Sequence, residues 1–349
     1  MVQSTSPLQD FSPPNMGKTV QAISNVSETE FKEQSFNVPD LNPFEVYIKV
    51  KACGVCHTDL YKLVGKTDVV AGHETVGQVI ETGSLVKHLK VGDMVGFGYL
   101  KSSCLDCEQC SSGNEILCAE RVRFPEGLGG FAHQAVFDAR FCYKIPENIE
   151  AKHAGPLMCA GATVFSALYN YNVSPTHRIG VVGIGGLGHL ALQFARAWGC
   201  HVVAISTNSN KEEEARSFGA HEFWNSSEFS DEQLEKLDKL DFILNTVSGD
   251  LAWDQYFSLL KPNGTFILVG VTEKPMTFNA GIFLGYQLKF AGSLVASRNV
   301  SNLMLKFAAR HNIEPQIEEY PMTAEGTAQA VQRVRDNKTR YRAVLIAPE

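Results

Sequence analysis

The chain has 349 residues, 44% of them hydrophobic and 20% charged, with a formal net charge of −7. That length allows two domains with separate cores, while the acidic balance argues against a nucleic-acid-binding face. No apolar run approaches the roughly 20 residues a membrane helix needs. The opening MVQSTSPLQDFSPPNMGK lacks the basic start and apolar stretch of a secretory signal. A cytoplasmic protein with neither a membrane nor a nucleic-acid partner is expected.

Residues 1–17, rich in Ser, Pro and Gln, read as a flexible leader. From Lys18 to Ile145 the texture is β-rich and punctuated by glycine, with Val46–Val50, Val76–Val79 and Val95–Phe97 as short strands. From Ala154 strand and helix alternate. Ile179–Gly183 is a fully apolar run, followed by the helical pattern His189–Trp198, the strand Val202–Ser206 and the helix Lys211–Phe218. Phe242–Thr246 and Thr265–Gly270 add two strands with a helix, Leu251–Leu260, between them. Such alternation predicts an α/β unit, a parallel sheet covered by helices on both faces. The helix Leu303–His311 and the strand-like Arg342–Ile346 come too late for this series and are expected to return to the first domain.

Gly183-Ile184-Gly185-Gly186-Leu187-Gly188 matches G-x-G-x-x-G between the apolar strand and the helix, the context a dinucleotide-binding turn requires. Gly183 would permit the tight turn and Gly185 the approach of a pyrophosphate. Gly188 would allow close helix–strand contact, with the helix N-terminus facing the phosphates. A site for NAD normally ends its second strand in Asp or Glu, which holds the ribose 2′-hydroxyl. Here that strand runs out through Ser206, Thr207, Asn208, Ser209 and Asn210 to Lys211, with no carboxylate before Glu212. Hydroxyls, amides and a lysine suit a 2′-phosphate instead, so NADP(H) is expected over NAD(H); the competing view is that Lys211 merely starts a solvated helix.

The nine cysteines are unevenly placed. Cys104, Cys107, Cys110 and Cys118 lie within fifteen residues, and four thiolates make a closed tetrahedral zinc site of structural type. Such a site would fix a lobe too poor in apolar residues to fold alone; a redox relay would need no such quartet. A second set is dispersed: Cys56-His57-Thr58-Asp59, then His73-Glu74, then Cys159. Two cysteines and a histidine would leave a fourth zinc position for water or substrate. Taken singly, Cys159 reads equally well as a small buried residue and His73 as a hydrogen-bonded turn histidine, so spacing does not decide.

Six motifs, CGVCHTD, AGHETVG, the four-cysteine lobe, GPLMCAGATV, VVGIGGLGHLA and RYRAVLI, occur in one order. Together they resemble the medium-chain zinc-dependent alcohol dehydrogenases, most closely the cinnamyl-alcohol-dehydrogenase-like branch, from about Lys18 to Ile346. The resemblance implies a GroES-like catalytic domain (18–153 and 296–349) flanking a Rossmann cofactor domain (154–295), with the active site between them. It implies an enzyme with two zinc ions per chain that moves a hydride between NADP(H) and a small alcohol or aldehyde. The catalytic zinc would be held by Cys56, His73 and Cys159, with Glu74 as an alternating ligand or neighbour; Cys53 is not a ligand in similar enzymes. Thr58 would relay the alcohol proton, Asp59 orient His73, and His57 lie near the cofactor phosphates. Thr163 would contact the nicotinamide region; Ser206, Thr207 and Lys211 the 2′-phosphate; Arg342 the pyrophosphate. Relatives are commonly homodimers, which makes Phe290–Val295 a candidate interface segment.

Three departures from the family pattern bear on function. Tyr61 stands where the relay often ends in histidine, and a phenol of ordinary pKa near 10 is a poor base at neutral pH. The segments between Cys56 and His73 and between Cys118 and Gly129 are shorter than usual for this branch, both at walls of the substrate cleft. Rival readings are an NAD-preferring relative, a zinc-independent quinone reductase and a non-catalytic dinucleotide binder. The retained Cys56, His73 and Cys159, the thiol quartet and Thr58 argue against the last two.

Overall fold

The computed structural model describes residues 17–272 and 274–348. Apart from Gly17, the expected leader lies outside the described residues. The first segment opens with a hairpin, β1 (Lys18–Asn25) on β2 (Phe31–Val38), beside the long strand β3 (Glu45–Val55). After α1 (His57–Leu63) come β4 (Glu74–Thr82), β5 (Met94–Phe97) and the small ribbon β6 (Leu100–Ser102) with β7 (Val122–Arg123). The ribbon brackets α2 (Glu108–Ser111); β8 (Gln134–Asp138) and β9 (Tyr143–Lys144) follow. The short strands read from sequence are thus present but longer, because cross-strand pairing extends each apolar nucleus into its polar flanks.

A helical passage, α3 (Ala151–Pro156), a π-helical turn at Leu157–Gly161 and α4 (Ala162–Asn170), leads into the alternating region. There β10 (Arg178–Val182), α5 (Gly188–Trp198), β11 (His201–Ser206), α6 (Glu212–Ser217), β12 (Glu222–Asn225) and α7 (Asp231–Lys236) alternate. The series continues with β13 (Leu240–Asn245), α8 (Trp253–Ser258), β14 (Leu260–Leu268), α9 (Gly281–Tyr286) and β15 (Lys289–Gly292). These strands form one parallel sheet in the order β12-β11-β10-β13-β14-β15. Side chains alternate between its two faces: Val202 and Ala204 enter the core under α4 and α5, Val203 and Ile205 the core under α8. The strand order reverses between β10 and β13, where open parallel sheets bind their ligands.

Of the two late segments expected to return to the first domain, the strand joins the first sheet, whereas the helix packs mainly on α4, in the core of the alternating region. Helix α10 (Arg298–His311) packs on α4, and β16 (Ile317–Pro321), α11 (Ala324–Arg335) and β17 (Arg342–Ile346) follow. Strand β17 pairs antiparallel with β3, so it joins the first sheet, ordered β16-β17-β3-β4-β5-β9 with β8 also on β3. Two helices differ from the sequence reading. The expected helix Lys211–Phe218 begins as a 3-10 turn over Ser209–Lys211, and the one at Leu251–Leu260 spans only Trp253–Ser258. Among the described residues no helix is long and apolar enough to cross a membrane.

Candidate active site

Strand β3 turns directly into α1, and Cys56 occupies the N-cap position between them. His73 and Glu74 open β4, and Cys159 lies in the π-helical turn, whose widened backbone is a frequent feature of functional sites. These three chain segments bring ligand atoms of Cys56, His73, Glu74 and Cys159 within 4.8 Å of one another. His73 Nε2 is 3.3 Å from Cys159 Sγ, close to the edge of about 3.6 Å that ordinary zinc–nitrogen and zinc–sulfur bonds give in a tetrahedron.

Asp59 knits the cluster together. One carboxylate oxygen accepts from His73 Nδ1 at 2.9 Å and from the Gly72 amide at 3.0 Å, and the other accepts from the Cys56 amide at 2.9 Å. A ring that donates from Nδ1 turns Nε2 toward the two thiols, as a metal-binding histidine must. Burial opposes charge on His73, yet Asp59 and Cys56 outweigh it and hold the ring's pKa well above its usual value. The Cys159 thiol, with His73 adding to it, holds Cys56 well below the ordinary thiol range. Glu74 is fully buried; burial pushes it up to about 7 against the pull of Arg342, whose guanidinium donates to it. Its second oxygen, Oε2, is buried without a hydrogen-bond partner. A Cβ on Gly54 would come within 2.0 Å of that oxygen, so a side chain there would displace the carboxylate. An orphaned carboxylate oxygen beside two thiols and an imidazole fits a zinc ion. Phe124 and Tyr99 stand over the His73 ring, centroids 5.0 and 6.2 Å away, as an apolar wall.

The other cysteines lie apart, in the ribbon lobe. Cys107 caps α2, Cys110 lies within it, and Cys118 ends a 3-10 turn. Cys104 Sγ is 3.9 Å from Cys110 Sγ and 3.6 Å from Cys118 Sγ. Those values bracket the edge of about 3.8 Å expected for four thiolates around zinc. Within the same lobe Glu115, nearly buried, accepts from the Arg298 amide at 3.3 Å and so ties the lobe to the start of α10.

Gly183, at φ 86°, makes the turn after β10, and a Cβ on Gly188 would sit 1.8 Å from the Gly183 carbonyl oxygen. A Cβ on Gly185 would meet nothing within 4 Å, so the loop leaves open space where a pyrophosphate would approach the backbone. Gly186 lies against Arg342, and Leu187 is the N-cap of α5. His189, fully buried, donates from Nδ1 to the Gly185 carbonyl and accepts from the Gln316 amide, at 3.0 and 3.1 Å. At the end of β11, Ser206 Oγ accepts from the Asn208 amide; Thr207 is exposed and Lys211 half-buried. Thr163 is buried on α4, Thr58 half-buried on α1, and His57 Nε2 lies 3.1 Å from Asn337 Oδ1.

Residues 42–147 match the family model described as alcohol dehydrogenase GroES-like domain, and residues 186–310 the one described as zinc-binding dehydrogenase. An aldehyde reductase of Synechocystis sp. is 38% identical over 308 residues, covering 86% of this chain and 90% of its own. The chain belongs to the zinc-dependent alcohol dehydrogenase family. This dehydrogenase is also 40% identical to a mannitol dehydrogenase of Petroselinum crispum over 86% of this chain and 93% of that one. Its fold is similar to that of a cinnamyl alcohol dehydrogenase of Sorghum bicolor, with a TM-score of 0.88, 34% identity, and 94% and 98% coverage. A cinnamyl alcohol dehydrogenase of Helicobacter pylori, solved with NADP(H), gives a TM-score of 0.84 at 28% identity, covering 94% and 98%.

Four residues packed beside the glycine loop and α6 of this dehydrogenase escaped the sequence reading. His189 follows the glycine motif immediately but looks like a core position of α5. Glu214, Arg340 and Tyr341 meet only in three dimensions; the one sequence trace is the Arg-Tyr-Arg alternation at 340–342. Arg342, expected on the pyrophosphate, pairs with Glu74 here and lies against Gly186 of the glycine loop.

Proposed function

We propose that this dehydrogenase transfers a hydride between NADP(H) and a primary alcohol/aldehyde pair. The observation that carries the reading is the meeting of half-buried Cys56 and Cys159 with buried His73 and Glu74 near the open glycine loop. Cys56, His73 and Cys159 would hold the catalytic zinc with Glu74 as neighbour, and Cys104, Cys107, Cys110 and Cys118 a second, structural zinc. Zinc bound at the first site would supply Lewis-acid polarisation of the substrate oxygen, and bound nicotinamide would supply or accept the hydride.

The chain's own residues supply geometry and proton transfer. Asp59 fixes the His73 ring through Nδ1. The Thr58 hydroxyl relays the alcohol proton in oxidation, accepting it while passing its own proton outward toward solvent, and the same relay runs inward in reduction. Thr163 and His57 border the cofactor, while the amides of Gly185, Gly186, Leu187 and Gly188 and the start of α5 receive the pyrophosphate with Arg342. Ser206, Thr207 and Lys211 receive the 2′-phosphate. The units are taken as 18–153 with 296–349, and 154–295. A second copy would dock on the edge strand β15, where Phe290 is 41% exposed and Leu294, just past the strand's end, 48%. The cytoplasm is the compartment in which nine cysteines outside any disulfide fit best.

The test is metal analysis together with kinetics on active, undialysed protein across aliphatic and aromatic aldehydes. Two zinc ions per chain are expected, with kcat/KM for NADPH roughly ten- to a hundredfold above that for NADH, the worth of one charge-assisted contact. Fewer than two zinc ions, or a preference for NADH, would overturn the corresponding half of the reading.

A further inference from the structure

The segment Arg340-Tyr341-Arg342 leads into β17, and its side chains diverge. Arg342 turns to Glu74 in the zinc cluster. The ring of Tyr341, held at φ 68°, lies against His189, their centroids 4.8 Å apart. Arg340 reaches Glu214 on α6, Nη2 to Oε1 at 2.8 Å. The other Glu214 oxygen accepts from Tyr341 Oη at 2.6 Å and from Lys211 Nζ at 3.4 Å, and Lys211 also lies over the Tyr341 ring, 4.7 Å from its centroid. The Arg340 amide in turn donates to Glu318 at 3.0 Å, which anchors its backbone. Two cations and one carboxylate thus converge at the end of β11, and both cations remain accessible, Arg340 at 62% and Lys211 at 35% side-chain exposure.

We propose that Arg340 and Glu214 set coenzyme selectivity: Glu214 holds Lys211 and Arg340 in place, and the coenzyme's 2′-phosphate takes both cations over from it. The inference rests on the NADP(H) reading and deepens it. Two cations against one carboxylate leave a net charge of one, while a phosphate monoester brings about two negative charges. Arginine adds a forked donor pair matched to phosphate oxygens, which lysine alone does not offer. Glu214 works in two directions: it orients the cations, and its own charge opposes the phosphate. The hydroxyl of Tyr341 holds the Glu214 carboxyl below its usual pKa, so the competing charge persists at neutral pH. A coenzyme without the phosphate gains nothing from either cation.

The test is calorimetric binding of 2′,5′-ADP and 5′-AMP to the zinc-loaded protein, for wild type, Arg340→Ala, Arg340→Lys, Glu214→Gln and Lys211→Ala. Arg340→Ala should weaken 2′,5′-ADP about tenfold and leave 5′-AMP unchanged, with Arg340→Lys between. Glu214→Gln, which keeps an oxygen for Tyr341, should tighten 2′,5′-ADP several-fold. If wild type binds both ligands alike, the NADP(H) reading fails and takes the inference with it. If wild type and Lys211→Ala behave as that reading requires but the Arg340 and Glu214 variants leave the ratio unchanged, only the inference falls. A Glu214→Gln variant that loses 5′-AMP affinity without gaining for 2′,5′-ADP would make Glu214 a ribose acceptor and overturn it too.

Discussion

Asp59→Ala removes the acceptor for three donors at once: the His73 ring, the Gly72 amide and the Cys56 amide. All three come from the two segments that carry Cys56 and His73, and the Asp59 side chain is wholly inaccessible. A buried donor left unsatisfied costs about 1–3 kcal/mol. Water entering the vacated space recovers part of that cost, so a stability loss of about 3 kcal/mol is expected. Domains of ordinary stability, about 5–15 kcal/mol, survive such a loss and remain folded at room temperature. The larger consequence falls on metal affinity, because the ring that should present Nε2 becomes free to turn. Losing such a support costs roughly 10- to 100-fold in affinity, or about 1.4–2.7 kcal/mol. Asp59→Asn keeps an oxygen for His73 and Gly72 but sets an amide against the Cys56 amide, so it should lose tenfold or less. Competition with a chromophoric chelator reads the effect, the four-thiolate site serving as an internal control. At a chelator concentration that leaves wild type with both zinc ions, Asp59→Ala should retain one. Retention of both would refute the reasoning.

Three further outcomes are expected. Cys104→Ser should lower Tm while sparing kcat at permissive temperature, whereas Cys159→Ala should abolish turnover in a protein of near wild-type Tm; the reverse pattern would exchange the roles of the two sites. Thr58→Ala should lower kcat strongly, while Tyr61→Phe leaves kcat for alcohol oxidation within a small factor and its pH profile unshifted; a displaced basic limb in Tyr61→Phe would assign the proton to the phenol. Burial holds His189 down to about 3 from an ordinary 6.5, so its contribution is fully present above pH 6.5 and is lost as pH falls toward 3. The unfolded chain takes up a proton that the folded ring refuses, about 3 kcal/mol between pH 6.5 and 4. Denaturant titrations of His189→Gln over that range should show a shallower acid slope than wild type, and equal slopes would refute the assignment.

Patterns that depend on near neighbours in sequence were legible: the G-x-G-x-x-G turn, the thiol quartet, and the apolar strands that alternate between the faces of the parallel sheet. Asp59 as the partner of His73 came from family resemblance, since nothing in its spacing points to a residue fourteen positions away. Helix ends were less legible. Asn208 accepts from the Asn210 amide and sets a 3-10 turn that delays α6, a local hydrogen bond that helical periodicity does not register. In sequence Glu214 is the last of three consecutive acids in the first turn of α6, with nothing to set it apart. Its role appears only when β17, entering from the opposite end of the sequence, delivers Arg340 and Tyr341 to it.

The placement of β17 also orders events during synthesis. Strand β3 is complete at Val55, yet β17, the neighbour it needs on one edge, is made only about 290 residues later. The parallel sheet, by contrast, draws all six strands from one continuous stretch, Arg178–Gly292, and the four thiols can meet within fifteen residues. A growing chain can therefore finish its parallel sheet and its four-thiol lobe while the Ala52–Val55 end of β3 keeps an open edge, a period of exposure to mispairing. Arg342 reaches Glu74 only when that edge is filled, so the cluster of Cys56, His73, Glu74 and Cys159 receives its cation last of all.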